Sequence, residues 1–259
     1  MKKIIFILSF FFSLYCEASG IPVLQYHQIT TTKAPGDTVI SLEKFKEQMK
    51  YLHDNGYNTI TMSDLLDVMT NKRQMSNKDI VLTFDDGWTS VLSSLSTLDF
   101  YKMKATYQII TSNFGDEYKS EYLNVNHIKA FSRENREIES HTVSHRCDDG
   151  NNLVTWDEGK NANRDNIDII NEIEVSKITL EQITGKAVNF IAWPCGIYNA
   201  HLLKLAKQVG YKGAMMAWGE GGNSPGDDPF QIKRLTINGN CSINQFAQIV
   251  KSRNSLQCK

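Results

Sequence analysis

The chain has 259 residues, of which 41% are hydrophobic and 10% aromatic, so it can form one large α/β domain or two small ones with a substantial core. Its formal net charge is −1, and acidic and basic residues are mixed along the chain. This balance excludes the basic stripe that nucleic-acid binding requires, and it argues against a polyanionic substrate.

The start of the chain has the pattern of a secretory signal peptide. Lys2 and Lys3 supply the positive charge, residues 4–15 form an apolar run, and Ala18 offers a small residue for cleavage near residues 18–20. The apolar run is too short to span a bilayer comfortably, so the sequence predicts no membrane span. We therefore expect a protein that is exported to the periplasm or the cell exterior.

Two other interpretations of this leader stay open. Cys16 permits lipidation, although the bulky Tyr15 makes a poor lipidation signal. The apolar run is also compatible with a first strand or helix that is buried in the fold. We take residues 1–19 as the signal peptide and residues 20–259 as a single domain, because no repeat, low-complexity tract or domain boundary is visible in the rest of the chain.

Beyond the leader, strand-like and helix-like stretches alternate. The predicted strands cover residues 22–26, 57–60, 80–84, 105–110, 137–139, 188–192, 211–217 and 232–237. The predicted helices cover residues 41–55, 63–69 with Ser63 as the cap, a stretch that ends at 98, 157–184 before Gly185, 201–209 and 243–251. Residues 219–228 are predicted as a loop. Repeated strand–helix units with short connections predict a parallel sheet, either doubly wound or closed into a barrel.

Several chemistry-bearing residues directly follow predicted strands. They are His27, Asp85, Asp86, His141 and the turn 193–196. In both parallel architectures the carboxyl ends of the strands meet at one rim, where active sites collect. This shared placement is a stronger indication of a site than any of these residues alone.

Two short segments together predict a metal centre. Residues 83–87 read Thr-Phe-Asp-Asp-Gly, and residues 141–145 read His-Thr-Val-Ser-His. Asp-Asp-Gly alone is typical of a turn, and a histidine pair alone fits a solvated helix face or loop. Because four residues make about one helical turn, the two imidazoles can converge on one point. One carboxylate and two histidines form a three-ligand site with open positions, and the second carboxylate is free to act as a base.

The same ligand set also holds non-haem iron in oxygenases. Those sites usually lie in antiparallel β folds, and Asp85 would have no purpose in one. A hydrolytic centre is therefore the favoured interpretation.

An even number of cysteines remains once the leader is removed, which permits disulfides in an exported protein. They are Cys147, Cys195, Cys241 and Cys258. A bond between Cys241 and Cys258 would tie down the end of the chain, and Cys147 and Cys195 can also be neighbours because each lies close to a predicted site segment. The sequence does not fix the pairing.

The two site segments resemble the first two motifs of the NodB-type polysaccharide deacetylases, carbohydrate esterase family 4, in order and in spacing. Residues 191–198 resemble the third motif, with Ala192 in the place of the usual arginine. Residues 23–27 and 228–234 are similar to the branch of the family that de-N-acetylates poly-N-acetylglucosamine. The resemblance covers nearly the whole chain after the leader.

This resemblance implies a distorted (β/α) barrel with about seven strands and a divalent metal ion, most often zinc, with cobalt or nickel as alternatives. Asp86, His141 and His145 would be the metal ligands, and Asp85 would be the general base. The backbone N–H of Cys195 would help to bind the oxyanion of the tetrahedral intermediate.

Aromatic residues near the predicted rim are candidate substrate contacts. Together with Cys195 and Pro194, we expect Tyr198 and Trp218 to bind the glycan, and Trp193 could also stack on a sugar face. Aromatic residues at strand ends are also common in protein cores, so that alternative stays open.

The chain departs from the family pattern at two catalytic positions. Ordinary members end with Leu-any-His, whose histidine is the general acid, whereas residues 235–237 read Leu-Thr-Ile. We expect His27 to act as the acid, with a structural histidine as the alternative. Arg234 is expected to orient Asp85 in place of the missing arginine, with a surface salt bridge as the alternative.

The sequence therefore predicts an exported, metal-dependent hydrolase that removes N-acetyl groups from glycans containing N-acetylglucosamine and releases acetate. Poly-N-acetylglucosamine or a related surface polysaccharide is the preferred substrate, and peptidoglycan, chitin oligomers and a lipid-linked sugar are alternatives. An alternative of another class is a catalytically inactive glycan-binding descendant, which the missing terminal histidine would explain. We expect a monomer whose partner is the N-acetylated glycan, with no nucleic acid and no membrane span.

Overall fold

The computed structural model describes residues 20–114, 121–134, 136–217, 219 and 221–258. The predicted signal peptide, residues 1–19, lies outside the described residues, and so does Trp218. None of the helices in the described ranges has both the length and the apolar character that crossing a membrane requires.

Short strands and helices alternate along the chain. The strands are β1 (Val23–Tyr26), β2 (Gln28–Thr30), β3 (Val39–Ser41), β4 (Asn58–Ile60), β5 (Asp79–Phe84), β6 (Ala105–Ile109), β7 (Arg136–Ser140), β8 (Cys147–Asp148), β9 (Asn151–Asn152), β10 (Phe190–Ala192), β11 (Gly213–Met215) and β12 (Leu235–Thr236). The α-helices are α1 (Leu42–Asp54), α2 (Met62–Met69), α3 (Leu95–Phe100), α4 (Val125–Arg133), α5 (Leu153–Asp157), α6 (Asn166–Thr184), α7 (Ala200–Val209) and α8 (Ile243–Ser252). Short 3-10 helices cover Thr89–Ser94, Thr111–Asn113, Pro194–Gly196 and Pro229–Gln231.

One curled parallel sheet organises the fold. Seven strands follow one another in the order β11-β10-β7-β6-β5-β1-β12, and β4 pairs with the first half of β5. Ile232 bridges Met215 at the end of β11, and the same segment then forms β12, which pairs with β1. Residues 232–236 thus join the two ends of the sheet. The predicted distorted (β/α) barrel with about seven strands is confirmed.

Neighbouring residues of a strand belong to different parts of the core. On β5, Val81 packs with Val23, Phe190 and Leu65 of α2, whereas Leu82 belongs to the larger cluster that includes the surrounding helices. All six residues of β5 are buried, as expected for a parallel strand that is covered on both faces. The strand that leads to the acidic pair is therefore held firmly on both sides.

The start of helix α2 differs from the prediction. Thr61, not Ser63, is the N-cap, because its hydroxyl accepts a hydrogen bond from the N–H of Asp64 and the Asp64 carboxylate accepts one from the N–H of Thr61. Ser63 instead donates its hydroxyl to Glu137.

The long helix predicted over residues 157–184 is wrong at its start. Helix α5 ends at Asp157, and α6 begins only at Asn166, where the side chain of Asp165 caps its first turn. Between them Gly159 has a φ of 66°, a left-handed conformation that ends the first helix. The predicted end at Gly185 is confirmed.

Both cysteine pairs form disulfides. Cys147 is bonded to Cys195 across 48 residues, and Cys241 is bonded to Cys258 across 17. These are the two pairs that the sequence analysis named as possible without fixing them.

Candidate active site

Strand β5 carries the acidic pair to the rim of the barrel. The N–H of Asp85 donates to the carbonyl of Tyr26 at 2.9 Å, which extends the pairing of β5 with β1 by one residue. Asp86 then has a φ of 73°, in the left-handed region that residues other than glycine seldom adopt. The turn gives the two neighbouring carboxylates different partners.

Asp85 is buried and held by three hydrogen bonds. Arg234 donates from Nη1 to Oδ1 at 2.7 Å and from Nη2 to Oδ2 at 2.9 Å, and Gln25 donates from Nε2 to Oδ2 at 2.7 Å. Arg234 is itself 0% exposed and donates from Nε to the carbonyl of Met216. This two-pronged contact is the one that the predicted orienting role of Arg234 requires; the role itself stays a prediction.

The charge of Asp85 is set by its surroundings. Burial by itself raises the pKa of Asp85, but the guanidinium of Arg234, followed by His141 and His27, outweighs burial and holds this pKa well below its usual range. Asp85 is therefore an ionised carboxylate at neutral pH.

Asp86, His141 and His145 form a cluster that could hold a metal ion. Oδ1 of Asp86 lies 3.5 Å from Nε2 of His141 and 3.7 Å from Nε2 of His145, and the three potential ligand atoms lie within 4.8 Å of one another. A tetrahedral zinc ion with bonds of about 2.0–2.1 Å separates its ligand atoms by about 3.3 Å. The two distances from Asp86 are close to this value, so the carboxylate and the two imidazoles are the right donors, close enough together, to hold a divalent ion.

Two hydrogen bonds fix the ligand atoms of this cluster. Nδ1 of His141 donates to the carbonyl of Ala192 at 2.8 Å, so Nε2 carries the lone pair that faces the cluster. Nε1 of Trp88 donates to Oδ2 of Asp86 at 2.9 Å and leaves Oδ1 for an ion. Neither partner was predicted, and the sequence offers no signal for them beyond the position of Trp88 directly after Gly87.

The two histidines converge through a loop conformation that their spacing does not predict. Residues 141–146 form a loop, not the predicted helical turn, and Thr142 and His145 have φ values of 64° and 51°. Glu172 holds this loop: it accepts from the N–H of Ser144 at 2.8 Å and from the Ser144 hydroxyl. The histidine rings end 4.5 Å apart. The predicted convergence is present, but the helical explanation for it is wrong.

His145 is neutral in this environment. Burial, and after it His141, lower its pKa to about 4, against the opposite effect of Asp86. A neutral imidazole is the form that binds a metal ion.

His27 follows β1 at the same rim. Its Nδ1 atom is buried and has no hydrogen-bond partner among the described residues. Burial lowers the pKa of His27, and Arg234 and His141 add to this effect while Asp85 and Asp86 oppose it. His27 lines the same cavity as Asp85 and Asp86, where the predicted acid must lie, and its role stays a prediction.

The turn after β10 brings Cys195 to the rim. Trp193 and Pro194 are buried, whereas Cys195 is exposed and has a φ of 51°. The disulfide to Cys147 joins this turn to β8, which directly follows the loop that carries His145. Strained backbone of this kind persists only where its surroundings hold it, and it is common at active sites.

A cavity of about 830 Å³ opens at this rim, within the usual size range of ligand sites. Its lining includes His27, Asp85, Trp193 and Cys195 together with the three clustered side chains. Tyr198 and Pro194, predicted as substrate contacts, are not part of this lining. Tyr198 instead stacks on Trp193 and donates its hydroxyl to the sulfur of Met216.

Gln25 belongs to the site, although the sequence analysis did not select it. Besides its bond to Asp85, its Oε1 accepts from the hydroxyl of Thr236 at 2.9 Å. A glutamine inside a buried strand was the available signal, because a buried amide needs hydrogen-bond partners.

Comparison with known proteins assigns this site to a family. The model of the family described as polysaccharide deacetylase matches residues 72–214, which contain the acidic pair and both histidines. The chain is 27% identical over 238 residues to YxkH of Bacillus subtilis (strain 168), whose name places it among polysaccharide deacetylases; the match covers 91% of this chain and 78% of that protein.

Two further proteins are similar over most of their length. The poly-beta-1,6-N-acetyl-D-glucosamine N-deacetylase of Staphylococcus aureus (strain MRSA252) is 24% identical over 254 residues, covering 92% of this chain and 83% of that protein. The structure of the Streptococcus pyogenes deacetylase PplD in complex with acetate matches with a TM-score of 0.76 and 23% identity, covering 89% of this chain and 98% of PplD. The likeness to the PplD structure establishes the fold.

Proposed function

Because the chain belongs to the polysaccharide deacetylase family, and is thus a de-N-acetylase hydrolase, we propose that it uses a divalent metal ion to remove N-acetyl groups from poly-N-acetylglucosamine. The observation that carries this proposal is the cluster of Asp86, His141 and His145, whose free ligand atoms face one another beside the buried carboxylate of Asp85. Zinc suits one carboxylate and two imidazoles, and cobalt and nickel are alternatives.

Asp85 is the proposed general base. A divalent ion held by the three ligands would make a water molecule more acidic and would polarise the acetamide carbonyl. Asp85 is suited to accept the proton because it is ionised and its Oδ2 lies 3.7 Å from Nε2 of His141, at the edge of the cluster. Arg234 keeps the carboxylate charged and limits its rotation, which supports the orienting role predicted for it.

Two further groups act on the substrate in this proposal. The backbone N–H of Cys195 stabilises the negative charge that develops on the acetamide oxygen, and the left-handed turn at Cys195 presents this part of the backbone at the cavity. In its protonated form His27 donates a proton to the leaving amine, which is otherwise a poor leaving group, and burial, which lowers its pKa, makes this proton easier to release. Its unpartnered Nδ1 supports this role, because a buried ring nitrogen without a partner is free to bind substrate.

Poly-N-acetylglucosamine is the proposed substrate because of the similarity to the staphylococcal N-deacetylase. Peptidoglycan, chitin oligomers and a lipid-linked sugar are the alternatives within the same chemistry. The proposal includes export after removal of residues 1–19, a single domain over 20–259, and a monomer. The non-haem iron alternative fits less well, because the sheet is parallel and Asp85 faces the cluster.

Acetate release separates these possibilities. The protein is incubated with β-1,6-linked N-acetylglucosamine pentamer, chitin pentamer and peptidoglycan fragments, each with and without a chelator and in air or under nitrogen. We expect the fastest release from the β-1,6 pentamer, loss of activity with chelator and no effect of oxygen. Faster release from chitin or peptidoglycan would contradict the substrate, and pentamer binding without acetate release would indicate a binding protein.

A further inference from the structure

The segment that follows helix α8 forms one wall of the active-site cavity. Ser255, Leu256, Gln257 and Cys258 line the same cavity as the proposed metal ligands. We propose that residues 255–258 are a glycan-binding wall, and that the Cys241–Cys258 disulfide holds this wall against the cavity, an inference that rests on the proposed function.

The wall is anchored at two places. Before it, Arg253 is buried and donates from Nε to the carbonyl of Gly20 at 3.0 Å, which fixes the point where the chain leaves α8. At its far end Cys258 is 6% exposed and is bonded to Cys241, which is 2% exposed. Cys241 directly precedes Ser242, the N-cap of α8, so the disulfide ties the wall to the beginning of the helix that it follows.

Between these anchors the segment is largely exposed. Ser255 and Gln257 are exposed, and Leu256 is half-buried against the core. The segment has no secondary structure, and the disulfide is the covalent link that keeps it at the cavity. Removal of this link should therefore release the wall without disturbing the barrel.

The chemistry of the wall suits an uncharged N-acetylated sugar. Residues 254–258 carry no charged side chain, and the Ser255 hydroxyl and the Gln257 amide can pair with sugar hydroxyl and acetamido groups. Asp37 and Asn238 line the same cavity, and Asp37 accepts a hydrogen bond from Asn238 at 2.6 Å. The cavity therefore offers hydrogen-bonding groups from separate segments of the chain to a sugar polymer.

Such a wall should control affinity and leave the chemical step unchanged. The groups proposed to act on the acetamide belong to other segments of the chain. Contacts that are equally strong in the ground state and the transition state change KM and leave kcat unaltered. This separation distinguishes a binding wall from a part of the catalytic apparatus.

The test compares three variants with the unsubstituted protein, using acetate release from the β-1,6-linked N-acetylglucosamine pentamer. Cys241→Ser/Cys258→Ser releases the wall, Gln257→Ala removes one lining amide, and Asn254→Ala removes a neighbouring exposed amide that does not line the cavity. Loss of one hydrogen bond should raise KM by about threefold to tenfold for Gln257→Ala, with a larger rise for the double variant. Asn254→Ala should match the unsubstituted protein, and kcat should change by less than about twofold throughout.

Pentamer binding, measured by calorimetry in an Asp85→Asn background, should weaken by the same factors as KM rises. Unchanged KM and binding in both wall variants, or an equal loss for Asn254→Ala, would overturn the inference while the proposed function stands. If the double variant fails to fold, the inference is tested by comparing the KM and pentamer binding of Gln257→Ala with those of Asn254→Ala. No acetate release by the unsubstituted protein would instead remove the proposed function, and this inference with it.

Discussion

Replacement of Arg234 by methionine tests how strongly the buried ion pair stabilises the protein. Arg234 is wholly buried and donates to both oxygens of Asp85, at 2.7 and 2.9 Å. Methionine has a similar length but no charge, so Arg234→Met leaves a buried carboxylate whose remaining donor among the described residues is the amide of Gln25. Removal of one partner from a buried ion pair costs about 3–5 kcal/mol of the free energy of unfolding. That loss is large against a total stability of about 5–15 kcal/mol.

Two control variants separate charge from packing. Arg234→Lys keeps the positive charge but not the two-pronged geometry, so it should lose less than Arg234→Met. Addition of Asp85→Asn to Arg234→Met removes the unpaired charge, and the double variant should recover about 2 kcal/mol or more relative to Arg234→Met alone.

Lower pH should reduce the difference in free energy of unfolding between Arg234→Met and the unsubstituted protein. The pKa of Asp85 is lowered in the folded state, so its contribution to stability is present above the ordinary value of about 3.9 and is lost only as the pH falls through the lower folded-state pKa. Without Arg234, burial raises this pKa, and the carboxylate of the variant takes up a proton earlier as the pH falls. The difference in free energy of unfolding should therefore shrink from about pH 7 to about pH 5.

Urea unfolding followed by circular dichroism, with EDTA present so that no metal ion contributes, measures these differences. A loss below about 1 kcal/mol for Arg234→Met at neutral pH would refute the assignment of a stabilising buried pair, because removing a partner from such a pair costs several times more. If the difference in free energy of unfolding between Arg234→Met and the unsubstituted protein is the same at about pH 7 and about pH 5, the predicted rise in the pKa of Asp85 is refuted.

Three substitutions test the proposed roles of the other site residues. Trp88→Phe removes the donor to Asp86, so the Kd for zinc, measured by chelator competition, should rise about 10-fold to 100-fold; an unchanged Kd would show that this contact does not orient the ligand. Asp85→Asn should retain one bound metal ion in elemental analysis while kcat falls by about 10²–10⁴, and loss of the metal would mean that the base and ligand roles are misassigned. His27→Ala should lower kcat more than it weakens pentamer binding, whereas the exposed His53→Ala should do neither; a normal kcat for His27→Ala would exclude it as the acid.

The acidic pair and the histidine pair could be selected from sequence because each directly follows a predicted strand and the two segments match family motifs in order and spacing. Asp85 and Asp86 follow a strand that is apolar along its length, and parallel strands bring their carboxyl ends to one rim. The conformation of the histidine loop could not be read in the same way. It depends on Glu172, which lies on α6 and contacts Ser144 only in the folded chain.

The predicted helix boundaries are correct where one local signal is strong and wrong where several signals lie close together. Gly185 ends α6 as predicted, because a left-handed residue closes a helix wherever it occurs. The helix predicted over residues 157–184 instead runs through the stop at Gly159 and the new cap at Asp165, although its apolar periodicity begins only after residue 166.

The wall formed by residues 255–258 had no sequence signal. The cysteine positions suggest the Cys241–Cys258 bond, but they do not indicate which surface the segment between Arg253 and Cys258 covers. Contacts between distant segments are fixed by the complete fold, and local residue patterns do not reveal them.

Zinc titration of the chelator-stripped protein, with acetate release from the β-1,6 pentamer as the readout, tests the central claim most directly. Activity should rise with added zinc and level off at one ion per chain, and His141→Ala should neither bind the ion nor regain activity. Full activity in the stripped protein, or a restored activity that survives His141→Ala, would contradict a catalytic metal centre formed by Asp86, His141 and His145.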